Sequence, residues 1–130
     1  MARTRFVRKP IPVKRVVLFV NSEEAWFWFV RAQRARHDGA VMLEAATEDT
    51  RPCDPDDIYR MVMELHRKRV LHAHHLKTLA RYGWRQCPPD RRVRGEHRDL
   101  VLWDEALDRL TTVMNAKGLI YREEDHAEAC

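Results

Sequence analysis

Apolar residues that recur every three or four positions constrain this chain more than any other feature of its sequence. The clearest stripe predicts a helix from about Arg92 to Ala116, with Gly118 as its stop. The members of this stripe are Leu100, Trp103, Leu107, Leu110 and Met114. A chain organised by such stripes is mainly α-helical.

Three more helices are predicted, over 22–37, 55–69 and 73–82. An aspartate–proline pair at 54–55 is typical of a helix start, and Tyr82-Gly83 is expected to end the third of these helices. The inward stripes of the second and third are Ile58, Met61, Val62 and Leu65, and then Leu76, Leu79 and Ala80.

The helix over 22–37 carries four consecutive aromatic residues at 26–29, which cannot all point inward from one helix. An exposed aromatic pair is typical of an interface, so we predict protein contacts at Trp26, Trp28 and Phe29. An adaptor module that forms a homodimer through this helix is therefore one functional hypothesis. The other interpretation is a central helix that is buried on most sides.

Residues 13–20 are rich in β-branched side chains and predict a short strand, which must pair with 41–43, with 119–121 or with a second chain. The predicted fold class is mainly α, a small helical domain of about four helices with a short N-terminal β element. The expected divisions are a basic flexible arm over 1–12, a single domain over 13–121 and an acidic tail over 122–130.

The composition, 45% hydrophobic and 34% charged residues in 130, is that of a globular chain and not of a disordered one. No apolar stretch approaches the roughly 20 residues that span a bilayer. The basic N-terminus lacks the apolar length and the cleavage site of a signal peptide. Three widely spaced cysteines do not form a disulfide framework. We therefore expect a cytoplasmic protein without a membrane partner.

The sequence contains no recognisable catalytic motif. A phosphate-binding glycine loop, a Gly-x-Ser-x-Gly elbow and a dinucleotide fingerprint are all absent. The histidines of 66–75 lack the spacing of a metal site, and no Cys-x-x-Cys pair supports them. Cys53, before a helix, and Cys87, among arginines, are candidate activated thiols without a base at a defined spacing. We predict that the protein is not an enzyme and has no catalytic residue, cofactor or metal.

Positive charge is concentrated in the segment 60–98, which holds eleven Arg or Lys and three acidic residues. Such a charge balance favours a polyanionic partner, DNA more than RNA, although arginines that merely solvate helix faces would give the same composition. The helices over 55–69 and 73–82 follow the outline of a helix-turn-helix, whose second helix enters the major groove. We therefore predict a DNA-binding protein of transcription regulation. Its predicted contacts are Lys77, Arg81, Arg85, Arg91, Arg92, Arg94 and Arg98.

Four segments of the chain resemble a family of small uncharacterised bacterial proteins. They are EEAWFWFVRAQRAR (23–36), RPCDPDDI (51–58), HHLKTLARYG (74–83) and LVLWDEALDRL (100–110). The resemblance covers most of 22–120 and implies a bacterial, cytosolic protein of chromosomal or mobile-element origin, without implying an activity or functional residues. The region 55–82 also resembles helix-turn-helix regulators, in pattern alone.

Overall fold

The computed structural model describes residues 15–39 and 49–122. The predicted arm over 1–12 and the acidic tail beyond residue 122 lie outside these ranges. The prediction of a mainly helical fold with four helices and a short β element is confirmed. The elements are β1 (Arg15–Val16), α1 (Ser22–His37), β2 (Asp49–Thr50), α2 (Pro55–Arg67), α3 (Ala73–Arg85) and α4 (His97–Ala116).

The β element is smaller than predicted, because regular pairing covers two residues of the segment 13–20. β1 and β2 pair in parallel, with Arg15 opposite Asp49. Further along, Phe19 forms a parallel bridge with Ile120. The Phe19 N–H donates to the carbonyl of Leu119 at 3.0 Å. The predicted pairing with 119–121 is thereby confirmed, whereas 41–43 lies outside the described residues.

Helix α1 is the central helix of the domain and packs against α2, α3 and α4. Its start is as predicted, since the Asn21 side chain accepts a hydrogen bond from the Glu24 N–H at 2.8 Å. Because three helices surround α1, its aromatic run can be buried on several sides at once. Trp26, Trp28 and Phe29 are all buried, and Phe27 is partly buried against the same core. The expectation that this run could not point inward is wrong.

Helix α3 ends at Arg85, three residues after the predicted boundary at Tyr82. Gly83 is a helical residue and not a stop, and side chains of α1 lie directly against it. A Cβ at Gly83 would lie 2.6 Å from Trp26 Nε1 and 2.9 Å from Val30 Cγ2. The C-cap of the helix is instead Gln86, which adopts the left-handed conformation with a φ of 59°.

Two other helix boundaries also differ from prediction. Helix α2 ends at Arg67, two residues early, and Arg69 in the following turn has a φ of 63°. Helix α4 begins at His97, five residues after the predicted start. The residues before it are held in turns, where the Asp90 carboxylate accepts from the Arg92 N–H at 2.9 Å.

The four helices enclose one core, whose largest fully buried side chains are Trp103, Tyr82, Phe19, Ile58, Leu71, Leu79, Leu110 and Met114. Helix α3 packs against α1 and α4, while α2 packs chiefly against α1. Among the described residues, no helix combines the length and the apolar character that crossing a bilayer requires.

Candidate nucleic-acid interface

The outer face of α3 combines positive charge with a complete absence of acidic side chains. No Asp or Glu occurs between residues 73 and 85, whereas each of the other three described helices contains at least two. His74, Lys77, Arg81 and Trp84 recur at intervals of three and four and are all exposed, so they lie on one side of the helix. We call these four residues the outer face of α3. The helix itself therefore contributes no negative charge to this face.

The opposite side of α3 is held firmly against α1 and α4. Leu79 and Tyr82 are fully buried, and the Trp26 indole N–H donates to the carbonyl of Leu79 at 2.8 Å. The Tyr82 hydroxyl donates to Asp99 Oδ2 at 2.7 Å. Burial, with a smaller effect of this hydrogen bond, raises the pKa of Tyr82 to about 12, so the hydroxyl stays a donor at neutral pH. These bonds fix the rotation of α3 about its axis and thereby fix which residues face outward.

Three of the seven predicted contact residues form ion pairs. They are Arg81 with Asp99 at 3.6 Å, Arg85 with Glu96 at 3.9 Å and Arg92 with Asp90 at 3.4 Å. Because all three arginine side chains remain at least 47% exposed, solvent screens each pair and its contribution to stability is small. These arginines can still exchange a carboxylate for a phosphate, but their charge is partly cancelled in the free protein.

The other four predicted contact residues are exposed and form no ion pair within residues 15–39 and 49–122. Lys77 lies on the outer face of α3. Arg91 and Arg94 lie in the loop between α3 and α4, and Arg98 lies in the first turn of α4. The uncompensated charge is therefore on the middle of α3 and at the end of α3 where the chain turns into α4.

A second group of basic residues, which the predicted contact set omits, lies at the other end of α3. Arg67, Arg69, His72 and His74 are exposed, and the rings of His72 and His74 stack at 5.6 Å. Since α3 has 13 residues, the two groups are separated by about 20 Å along its axis. The signal is in the sequence, because all four residues fall within the basic segment 60–98, but the predicted contact set begins only at Lys77.

Trp84 is a further exposed residue outside the predicted contact set. It is 57% exposed, although it belongs to the most hydrophobic class of side chains. The guanidinium carbon of Arg34, from α1, lies 4.3 Å from the centre of its ring. The Arg34 Nη1 also donates to the Trp84 carbonyl at 3.1 Å. An exposed indole thus stands at the end of a basic helix face and is supported from one side.

The predicted protein-interface residues are core residues in this structure. Trp26, Trp28 and Phe29 are each no more than 7% exposed. Two aromatic contacts keep them there, Trp28 with Phe19 at 5.2 Å and Trp26 with Phe29 at 5.0 Å between ring centres. A partner could not reach these side chains without disrupting the domain. The correction follows from the central position of α1, which a helical stripe alone does not reveal.

Neither ring nitrogen of His75 is available to a substrate. Its Nδ1 accepts from the His72 N–H at 3.0 Å, so the proton is on Nε2, which donates to Glu105 at 2.8 Å. This hydrogen bond, more than any other interaction, lowers the pKa of Glu105 below its ordinary value. Within the described residues, no group of three or more His, Cys, Asp or Glu side chains is arranged to hold a metal ion. The buried histidine therefore links α3 to α4.

Cys53 is not activated by the start of α2. Partial burial, together with the charges of Asp57 and Asp54, raises the pKa of the Cys53 thiol to about 11. The thiol is therefore protonated at neutral pH and a poor nucleophile. The prediction of Cys53 as a candidate activated thiol is therefore wrong, because burial and the carboxylates of Asp57 and Asp54 disfavour the thiolate.

Comparisons of this chain with protein-family models, with curated proteins and with solved structures found no match.

Proposed function

We propose that this protein is a DNA-associated regulatory protein that binds through the outer face of α3. The observation that carries the proposal is that α3 lacks acidic residues while it exposes Lys77 and Arg81 on one side. Among the described helices, α3 is the one without an acidic residue of its own, so the like charge beside its arginines is that of the carboxylates of Asp99 and Glu96 from the α4 side. Phosphate contacts of this kind contribute affinity but carry no sequence information.

The two basic groups at the ends of α3 fit a nucleic acid better than a small anion. A helix that lies in a major groove, about 12 Å wide, has phosphates on both sides of it. We propose that Arg67 and Arg69, just before α3, and Arg91 and Arg94, just after it, make such contacts, which their exposure allows. The order α2, turn and α3 also fits a helix-turn-helix unit, which stays a prediction.

The test is a binding titration with labelled duplex DNA of random sequence at about 50 mM salt, where non-specific contacts are strong. Lys77→Gln should weaken binding severalfold, and the further replacement of Arg91, Arg94 and Arg98 by Gln should abolish it. Arg60→Gln is the matched control, because Arg60 is also exposed and the charge change is the same, but it lies on α2 and pairs with Asp57.

Two results would contradict the proposal. One is that the unaltered protein binds neither DNA nor RNA at low salt. The other is that Arg60→Gln weakens binding as much as Lys77→Gln does, since net charge and not the face of α3 would then be responsible. Because all of these side chains are exposed, the free energy of unfolding of each variant should lie within about 0.5 kcal/mol of that of the parent protein.

A further inference from the structure

Trp84 differs from the other three tryptophans in its exposure and in its surroundings. Trp26, Trp28 and Trp103 are buried, and the indole N–H groups of Trp26 and Trp103 donate to Leu79 and to Glu23. Within the described residues, the Trp84 indole nitrogen has no hydrogen-bond partner. The ring is neither a core residue nor part of an internal polar network, so its exposure needs another explanation.

One face of the Trp84 ring is occupied and the other is open. Arg34 covers the first face at 4.3 Å, and in the described part of the chain no second ring or cation lies against the opposite face. Arg34 is itself held by its hydrogen bond to the Trp84 carbonyl. Because α1 and α3 pack directly against each other, the ring is supported before any ligand arrives.

The surroundings of the open face favour an anionic ligand with flat rings. Lys77 and Arg81 precede Trp84 by seven and three residues on the same side of α3, which places the lysine about 10 Å along the helix axis. An indole set among cations on an acid-free helix is the combination with which proteins bind single-stranded nucleic acid. There the bases stack on aromatic side chains and the basic groups follow the backbone.

We propose that Trp84 is a stacking site for an unpaired nucleobase, so that this protein also binds single-stranded DNA on the outer face of α3. This inference rests on the proposed function. In a duplex the faces of the bases are covered by their neighbours, whereas in a single strand they are free to stack on Trp84. The Arg34–Trp84 pair would then continue as a stack of guanidinium, indole and base.

The experiment compares two labelled strands of about twelve residues at low salt, an oligothymidylate and a strand of the same length whose residues are abasic. Both present the same phosphates, but only the first presents bases. The unaltered protein should bind the oligothymidylate roughly tenfold more tightly. Trp84→Ala should remove this preference and leave binding of the abasic strand unchanged, while Trp84→Phe should retain most of it.

Tyr59→Ala is the matched control, because Tyr59 is also an exposed aromatic residue, at 52%, but lies on α2. It should leave the preference for bases intact. Lys77→Gln should weaken binding of both strands alike, since it removes a phosphate contact and no stacking. A thermal unfolding curve for each variant shows whether the fold has changed.

The outcomes separate this inference from the function on which it rests. If neither strand nor a duplex binds, both proposals fail. If the protein binds both strands with equal affinity and Lys77→Gln weakens this binding, the stacking site is refuted and the nucleic-acid function stands. If Trp84→Ala abolishes self-association in sedimentation and leaves oligothymidylate binding unchanged, the exposed indole belongs to a protein contact and the inference is overturned.

Discussion

The two sides of α3 belong to one helix but differ in how many of their side chains are buried and bonded to the rest of the protein. The inner side, with His75, Leu79 and Tyr82, is buried and bonded to α1 and α4. The outer side presents Lys77 and Trp84 without an ion pair or a hydrogen bond from either side chain within residues 15–39 and 49–122. Substitutions on the inner side should therefore reduce stability, and substitutions on the outer side should reduce binding.

The largest expected effect is on the inner side. Leu79→Ala removes a fully buried side chain and should lower the free energy of unfolding by about 2–5 kcal/mol. Lys77→Ala, two residues away on the outer side, should change it by less than about 0.5 kcal/mol. Urea unfolding of both variants measures the contrast. Similar losses for the two would show that the outer side is also a structural surface.

The next largest effect is expected at Gly83, where side chains of α1 lie directly against α3. Gly83→Ala should be destabilising by about 1–3 kcal/mol, because the added methyl group meets Trp26 and Val30. The higher helix propensity of alanine, about 1 kcal/mol, should not compensate. Trp26→Phe removes the indole nitrogen, the atom nearest to the added methyl group. The double variant with Gly83→Ala should therefore lose less free energy of unfolding than the sum of the losses of the two single variants. Additive losses in urea unfolding would contradict this packing.

A smaller effect, of opposite sign, is expected in the turn before α3. Arg69→Gly should raise the free energy of unfolding by about 0.5–1 kcal/mol, because glycine adopts a φ of 63° without strain. Gln86→Gly, at a φ of 59°, should bring no such gain. The Gln86 amide donates to the carbonyls of Gly83 and Phe27, and glycine would lose both bonds. Equal gains for the two variants would contradict the structural role of Gln86.

The smallest expected effect concerns pH. The hydrogen bond from His75 lowers the pKa of Glu105 in the folded protein, so this carboxylate contributes stability above its unfolded pKa of about 4.3. That contribution is lost as the pH falls through the lowered folded value. Acid unfolding of Glu105→Gln should therefore show a shallower loss of stability below about pH 4.3 than the parent. If stability falls equally steeply with acid in both proteins, the His75–Glu105 hydrogen bond does not couple α3 to α4.

Local patterns in the sequence predict where the helices lie, because each stripe depends on its own spacing, but Ala80 of the stripe predicted for α3 is exposed. Ile58, Met61, Val62 and Leu65 were predicted to face inward, and all four are buried. The aromatic run at 26–29 was misjudged because its burial depends on three other helices that meet at α1. The periodicity of a sequence indicates how wide the apolar face of a helix is, but not how many other helices pack against that face.

The candidate site was predictable only in part, for a similar reason. The basic segment 60–98 is visible in the sequence, but the pairing of Arg81 with Asp99 requires that α3 and α4 lie antiparallel. From the sequence, Gly83 is equally consistent with a helix stop and with a close contact between helices. The position of Trp26 against Gly83 shows that it is a close contact. The exposure of Trp84 follows from the rotation of α3, which the buried bonds determine.

The most direct test of the account is an isotope-edited NMR titration of the protein with single-stranded DNA. Each indole N–H gives its own signal, so Trp26, Trp28 and Trp103 serve as internal controls for Trp84. We expect the largest chemical-shift changes at the Trp84 indole N–H and at the backbone amides of the outer face of α3, and none at the amides of the exposed Asp104 and Asp108 of α4. An unchanged spectrum, or shifts that leave α3 unaffected, would contradict the account.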